Sequence, residues 1–200
     1  DWLEAKLFHG ADGSQYLYTG YLPKGGDSFQ SHLWKGSGDN PTLEITPEKW
    51  SVPGEDAGGF EMIQGMAALD NGTLVALSYT SLDILSCEDG SILESEPLTS
   101  FYEGGVISDG KFVYLCSSEE GGRIEKRKDG KNSGLSAIPY PTGGSDNGSF
   151  VVGGSGSLAL CVLKNGILIA AGEDGIFRQD SSAADSAWEK LAEGMDTDFS

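Results

Sequence analysis

Two hundred residues with 38% hydrophobic content hold enough apolar material for one sizeable core. Thirteen basic against 31 acidic side chains leave a formal charge of −18, a surface that repels phosphate backbones and anionic lipid headgroups, so no nucleic-acid or membrane-surface partner is expected. No apolar run approaches the ~18 residues of a membrane span, so no membrane insertion is expected either.

In chain order, short apolar runs broken by turn residues predict strands from end to end. Trp2–Phe8 leads to the Asp12-Gly13 turn, Gln15–Tyr21, the loop Pro23-Lys24-Gly25-Gly26, Phe29–Lys35, then Thr42–Thr46 after Asn40-Pro41. Met62–Leu69 leads to Asn71-Gly72, Thr73–Tyr79, Leu82–Cys87, Asp89-Gly90 and Ile92–Leu98. Gly105–Ser108 leads to Asp109-Gly110, Lys111–Cys116, Arg123–Lys128, Asp129-Gly130 and Leu135–Tyr140. The last stretch, Leu158–Leu163, Asn165-Gly166, Ile167–Ala171, Glu173-Asp174-Gly175, Ile176–Gln179 and Ala187–Leu191, is the clearest four-stranded antiparallel unit. Asn-Gly between apolar runs is a strong hairpin signal, read here as a type I′ turn, which needs φ > 0 at both central residues. Nothing reads as a long amphipathic helix. Residues 182–191 are the one short candidate, and Trp188 fits better on an outer strand.

Each unit places an Asn-Gly or Asp-Gly pair before its second strand, with the glycine at 13, 72, 110 and 166. A four-stranded sheet does not bury both faces alone, so copies must stack. The fold class expected is all-β, a β-propeller of four-stranded antiparallel blades at about 2–46, 62–98, 105–140 and 157–191, in one domain or propeller fragment over 1–200. Spacings of 59 and 56 residues exceed the ~40 to 50 usual per blade, and the excess is assigned to connectors. The tail 194–200 runs past the last strand without a cap, so association with further blades is expected. The chain opens at Asp1 without Met or signal sequence, which reads as a mature or excised form.

The run Gly175-Ile176-Phe177-Arg178 followed by Trp188 resembles the Asp-box (BNR) repeat of sialidase-like propellers. The intervening turn, Asp180 to Ser186, is longer than in that motif and lacks its glycine. The same stretch is similar to a kelch blade, from which Ala171-Gly172 departs by lacking the paired glycines. The resemblance covers about one blade. It implies a propeller of the kind found in bacterial extracytoplasmic proteins, and the expected localisation, extracytoplasmic or secreted, rests on it alone.

Sialidase chemistry needs an arginine triad, a Tyr nucleophile and an acid. The arginines here are Arg123, Arg127 and Arg178. The first two share one predicted strand and the third lies on an outer one, so convergence on a single carboxylate is not expected, and the family's Arg-Ile-Pro motif is absent. Gly154-Ser155-Gly156-Ser157-Leu158-Ala159 matches G-x-G-x-x-A, but a dinucleotide site requires a helix next, and here a hairpin follows. G-x-S-x-G, H-E-x-x-H and EF-hand signatures are absent, and neither a cofactor nor a metal is expected. Cys87, Cys116 and Cys161 lie in or beside apolar runs without C-x-x-C spacing, and read as buried free thiols. Asn71-Gly72-Thr73 and Asn147-Gly148-Ser149 are sequons in form, yet turn chemistry accounts for both.

In a blade, the loop from strand two to three and the connector from strand four onward lie on one face. Here that groups 23–28, 80–81, 117–122 and 173–174 with 48–60, 99–103 and 142–149. These segments bring Trp50, Phe60, Phe101, Tyr102 and Asp146, with Tyr79 at their edge, as candidate ligand-binding residues. Aromatics beside carboxylates suit stacking on a sugar or gripping a peptide. The function expected is a non-catalytic, extracytoplasmic binding module for a glycan, a peptide or another protein domain. The alternative is a polysaccharide-acting glycoside hydrolase or lyase with two of Glu55, Asp56, Glu103 and Asp146 as acid and base.

Overall fold

The structure, a computed structural model, describes residues 3–9, 15–21, 30–37, 40–44, 63–78, 80–98, 102–117, 123–141, 159–163, 165–172, 175–183 and 186–193. The fold is all-β and of the β-propeller kind. Among the described residues sixteen strands form four blades, each an antiparallel meander in which consecutive strands pair. Sheet 1 contains β1 (Leu3–His9), β2 (Gln15–Tyr21), β3 (Gln30–Ser37) and β4 (Asn40–Glu44). Sheet 2 contains β5 (Gly65–Ala68), β6 (Thr73–Leu77), β7 (Ser81–Ser86) and β8 (Ile92–Pro97). Sheet 3 contains β9 (Tyr102–Ser108), β10 (Phe112–Ser117), β11 (Arg123–Lys128) and β12 (Leu135–Pro139). Sheet 4 contains β13 (Ala159–Val162), β14 (Ile167–Gly172), β15 (Gly175–Asp180) and β16 (Glu189–Glu193). A 3-10 turn at Asn132–Gly134 is the one helical piece among the described residues. The chain divides into two compact units, Asp1–Leu98 and Thr99–Ser200.

The hairpin glycines work differently from the type I′ expectation. Gly72 (φ 81°) and Gly166 (φ 79°) are left-handed, but Asn71 and Asn165 are not, and the one described non-glycine at positive φ is Asp129 (54°), ahead of Gly130 (76°). Gly72 N–H donates to the Leu69 carbonyl and Leu69 N–H to that of Thr73, a three-residue loop closed by a glycine bulge. Gly166 makes the corresponding bond to Leu163, and Leu163 N–H the corresponding one to Ile167.

In the first unit, Tyr16 of β2 packs with Ile63, Met66, Ala68, Leu74, Ala76, Leu85 and Cys87, so one face of sheet 1 closes on sheet 2. In the second, Tyr114, Cys116, Ile124, Ile138 and Tyr140 pack with Leu168, Ala170 and Phe177, closing sheet 3 on sheet 4. The two units repeat one design. Tyr16 pairs across the strands with Lys35, and Tyr114 with Lys126. Lys35 Nζ reaches 2.9 Å to the Cys87 carbonyl, and Lys126 Nζ 2.6 Å to that of Ser181. Both accepting residues follow the third strand of the next sheet, and each donates its own N–H to the hairpin glycine, Gly72 or Gly166. Leu69, Gly72 and Cys87 recur 94 positions on as Leu163, Gly166 and Ser181. The repeating element is therefore a pair of sheets. The hairpin spacings (59, 38, 56) alternate with that period, and the excess lies mostly in the connectors, as expected: Glu44 to Gly65 and Pro139 to Ala159 are long, Pro97 to Tyr102 short.

Cys87 and Cys116 are buried and outside any disulfide, as expected. Cys161 corrects the expectation: it is exposed, because its position on β13 points to the face of sheet 4 turned away from sheet 3. Trp188 stands just before β16. Its Nε1 donates to the Pro139 carbonyl at 2.8 Å, tying the outer edge of sheet 4 to that of sheet 3.

Candidate functional site

At one end of sheet 3 a cross-strand row brings together the first residue of β9, the last of β10, the first of β11 and the last of β12: Tyr102, Ser117, Arg123 and Pro139. This end carries the loop from strand two to three and the connector after strand four. β11 reads Arg-Ile-Glu-Lys-Arg-Lys. The two-residue strand period puts Arg123, Glu125 and Arg127 on the same face, with Glu125 in the middle. Glu125 and Arg127 are buried, while the Arg123 side chain is 43% exposed.

Glu125 is the hub. Its Oε1 accepts from Arg123 Nε (3.2 Å) and Nη2 (2.9 Å). Its Oε2 accepts from the Tyr102 hydroxyl (2.9 Å) and from Arg127 Nε (3.1 Å) and Nη2 (2.9 Å). Arg127 Nη2 also donates to the Tyr102 oxygen at 3.1 Å, and Tyr140 donates to the Ser117 carbonyl at 3.0 Å. Burial works to raise the Glu125 pKa, but hydrogen bonds from Arg123, Arg127 and Tyr102 outweigh it and hold the carboxyl below its usual range. Burial, with the bond to Glu125, pushes the Tyr102 hydroxyl up to about 12. The chemistry follows from these states. A carboxylate with both oxygens engaged by cations is a poor proton acceptor, and a tyrosine titrating near 12 stays protonated at neutral pH. The cluster fixes a guanidinium, Arg123, at the loop-bearing edge.

Of the residues the sequence singled out, Tyr102 belongs to this cluster, as the first residue of β9 rather than of the loop before it. It is 5% exposed, with its hydroxyl inside the charge network. Trp50, Phe60, Tyr79, Phe101 and Asp146 lie outside the described residues, as do Glu55 and Asp56, whereas Glu103 is on β9. Arg123 and Arg127 both bond Glu125 of their own strand and form no triad with the third arginine, in line with the expectation. Arg178 stands apart on β15, half exposed and 3.4 Å from Glu189. The glycines of 154–156 lie outside the described residues, but β13 begins at Ala159, so a strand and not a helix follows them. Sequence reasoning passed over Glu125. Its signal was there: a lone acid flanked at i−2 and i+2 by arginines in a strand.

A second polar cluster sits at the corresponding end of sheet 2. The buried Asp83 carboxylate accepts from Ser95 Oγ at 2.6 Å and Ser81 Oγ at 3.3 Å, and Ser78 Oγ lies 3.2 Å from Ser81 Oγ. Among the described residues no group of three or more His, Cys, Asp or Glu is placed to hold a metal.

No family model matches this chain, and no curated protein does. Solved structures similar to it include virginiamycin B lyase from Staphylococcus aureus, at 14% identity and a TM-score of 0.48 over 92% of this chain and 54% of that one. The chain thus spans about half the length of that protein, whose lyase activity is its own.

Proposed function

We propose that the chain is a binding module, extracytoplasmic in setting, that takes a glycan, a peptide or a partner domain at the loop-bearing edge of its sheets. The observation that carries this is the state of the Tyr102–Glu125–Arg127–Arg123 cluster. Its acid is saturated and its tyrosine stays protonated, while Arg123 is fixed by two bonds to Glu125 and remains 43% exposed. A guanidinium held in this way loses little freedom on meeting a carbonyl, hydroxyl or carboxylate oxygen, the groups in which glycans and peptides abound. In the same reading Trp50, Phe60, Tyr79 and Phe101, on the loops that the sequence assigns to binding, are candidate stacking residues. Localisation rests on the Asp-box and kelch resemblance.

The test is a glycan and peptide array on the whole chain, with products assayed on every binder. Binding without turnover is expected. Arg123→Ala, at a half-exposed position, should retain the fold and lose about tenfold or more in affinity, the value of one charge-assisted hydrogen bond. Turnover by the wild type, or unchanged affinity in Arg123→Ala, would overturn the reading.

A further inference from the structure

At the hairpin end of sheets 3 and 4, away from the Arg123 edge, a serine hydroxyl meets a tyrosine and a lysine. Ser181 Oγ donates to the Gly166 carbonyl at 2.7 Å and stands 2.9 Å from the Tyr114 hydroxyl and 3.4 Å from Lys126 Nζ. Tyr114 gives its own proton to Asp109 Oδ2 at 3.0 Å. Lys126 is 8% exposed, with Nζ 4.2 Å from the centre of the Phe112 ring and 2.6 Å from the Ser181 carbonyl. Ser181 is half-buried and runs into exposed Ser182 and Ala183, so the serine is partly open to solvent and the lysine is shielded from it. The first unit repeats the arrangement with sulfur for oxygen. Cys87 takes the place of Ser181, packed with Tyr16 and with Lys35 Nζ on its carbonyl. Any residue would supply the carbonyl that each lysine grips, so the clamp alone does not explain a thiol in one unit and a hydroxyl in the other, both nucleophiles in acyl transfer.

We propose that Ser181 is a nucleophile with Lys126 as its general base, and that it takes the acyl group of an activated ester. The Ser181 oxygen bonds the acyl carbon as its proton passes to neutral Lys126 Nζ. The ester C–O bond then breaks, and the leaving oxygen collects that proton from the lysine. Tyr114, bonded to Asp109, holds the serine oxygen in place. The lysine must first be neutral. Burial lowers its pKa and Lys111 adds to that, while Asp109 and Asp180 oppose it, so the midpoint of its deprotonation lies below the ordinary 10.5.

The probe is p-nitrophenyl acetate on the whole chain, with peptide mass spectrometry reading the acetyl group residue by residue. No glycan or peptide is present, so the outcome is independent of binding at the Arg123 edge. Ser181 should be acetylated about a hundredfold faster than Ser182, its exposed neighbour bonded to Asp180, since a placed base contributes at least that much. The Ser181 rate should rise about tenfold per pH unit and level off below pH 10.5, once Lys126 has lost its proton. Lys126→Met should slow it about a hundredfold. Should that variant fold poorly, the pH profile of the wild type decides. An unmodified Ser181, a Ser182 that reacts as fast, a rate that climbs with hydroxide through pH 10.5 without levelling, or an undiminished rate in folded Lys126→Met would each overturn the proposal.

Discussion

Glu125 is a buried carboxylate that would be costly to hold alone and is held by three neighbours. Removing the charge while keeping the shape, as in Glu125→Gln, takes away the carboxylate that buried Arg127 shares with Arg123 and should cost about 3–5 kcal/mol at neutral pH. Because the folded state keeps the Glu125 pKa below its ordinary value, its contribution is present above the unfolded value (~4.3) and is lost as pH falls through the folded one. The melting temperatures of wild type and Glu125→Gln should therefore converge as pH drops from about 7 towards 3, and parallel curves would contradict the network. Tyr102→Ala should cost about 3–5 kcal/mol, as for any buried aromatic, and Tyr102→Phe about 1–3, for the orphaned partners of its hydroxyl. A near-neutral Tyr102→Ala would place that ring in solvent and undo the geometry of the edge. The flanked acid could be seen in the sequence but its burial could not, because Arg-Ile-Glu-Lys-Arg-Lys looks like a solvated strand. What makes it an interior one is tertiary: five donor contacts to one carboxylate satisfy charges that composition alone assigns to water.

At the level of strands and hairpins the sequence was far more readable. Alternating apolar residues and Gly-centred turns are local signals, so all sixteen strands were foreseen, Gln15–Tyr21 and Arg123–Lys128 to the residue. The turn type was not, since Asn-Gly is compatible with more than one loop length and only the ladder register decides between them. The two hairpin glycines offer a controlled comparison. Gly72→Ala meets only the strain of a left-handed backbone, about 1–2 kcal/mol, because nothing lies within 4 Å of the added methyl. Gly166→Ala meets the same strain and also brings a Cβ to 3.2 Å from Ser181 Oγ, the atom that donates to the Gly166 carbonyl and stands 2.9 Å from the Tyr114 hydroxyl. Chemical denaturation should rank Gly166→Ala below Gly72→Ala. The lysine between sheets 3 and 4 adds a pH signature. Burial lowers the Lys126 pKa, with Asp109 and Asp180 pulling the other way, so its protonated form costs stability that is recovered as pH rises through the folded value towards 10.5. Lys126→Met should lack that alkaline gain, which a comparison of the two stability curves would reveal.

On the scale of the whole chain, the −18 charge and the two-sheet period are the features that matter. Self-repulsion among the acidic side chains should make the folded protein more stable in moderate salt than at low ionic strength, as a thermal melt series in sodium chloride would show. The doubled unit was hidden in the sequence, because its evidence is a lysine meeting a carbonyl 52 or 55 positions away, a contact without any local motif.

The hairpin asparagines also give the molecule an uneven chemical lifetime. Cyclisation of an Asn side chain onto the following glycine nitrogen, the first step of deamidation, needs a side-chain amide free to swing. Asn71 Oδ1 is held by the Thr73 N–H at 3.1 Å and the Thr73 hydroxyl at 2.6 Å, while Asn165 Oδ1 has a 3.4 Å contact from the Ile167 N–H. Ageing should therefore strike residue 165 first, and peptide mapping of stored protein would show isoaspartate there before any at 71. An isoaspartate adds a methylene to the backbone next to Gly166, whose carbonyl receives both the N–H and the hydroxyl of Ser181. With time the protein would loosen from its second half while the first keeps its fastening.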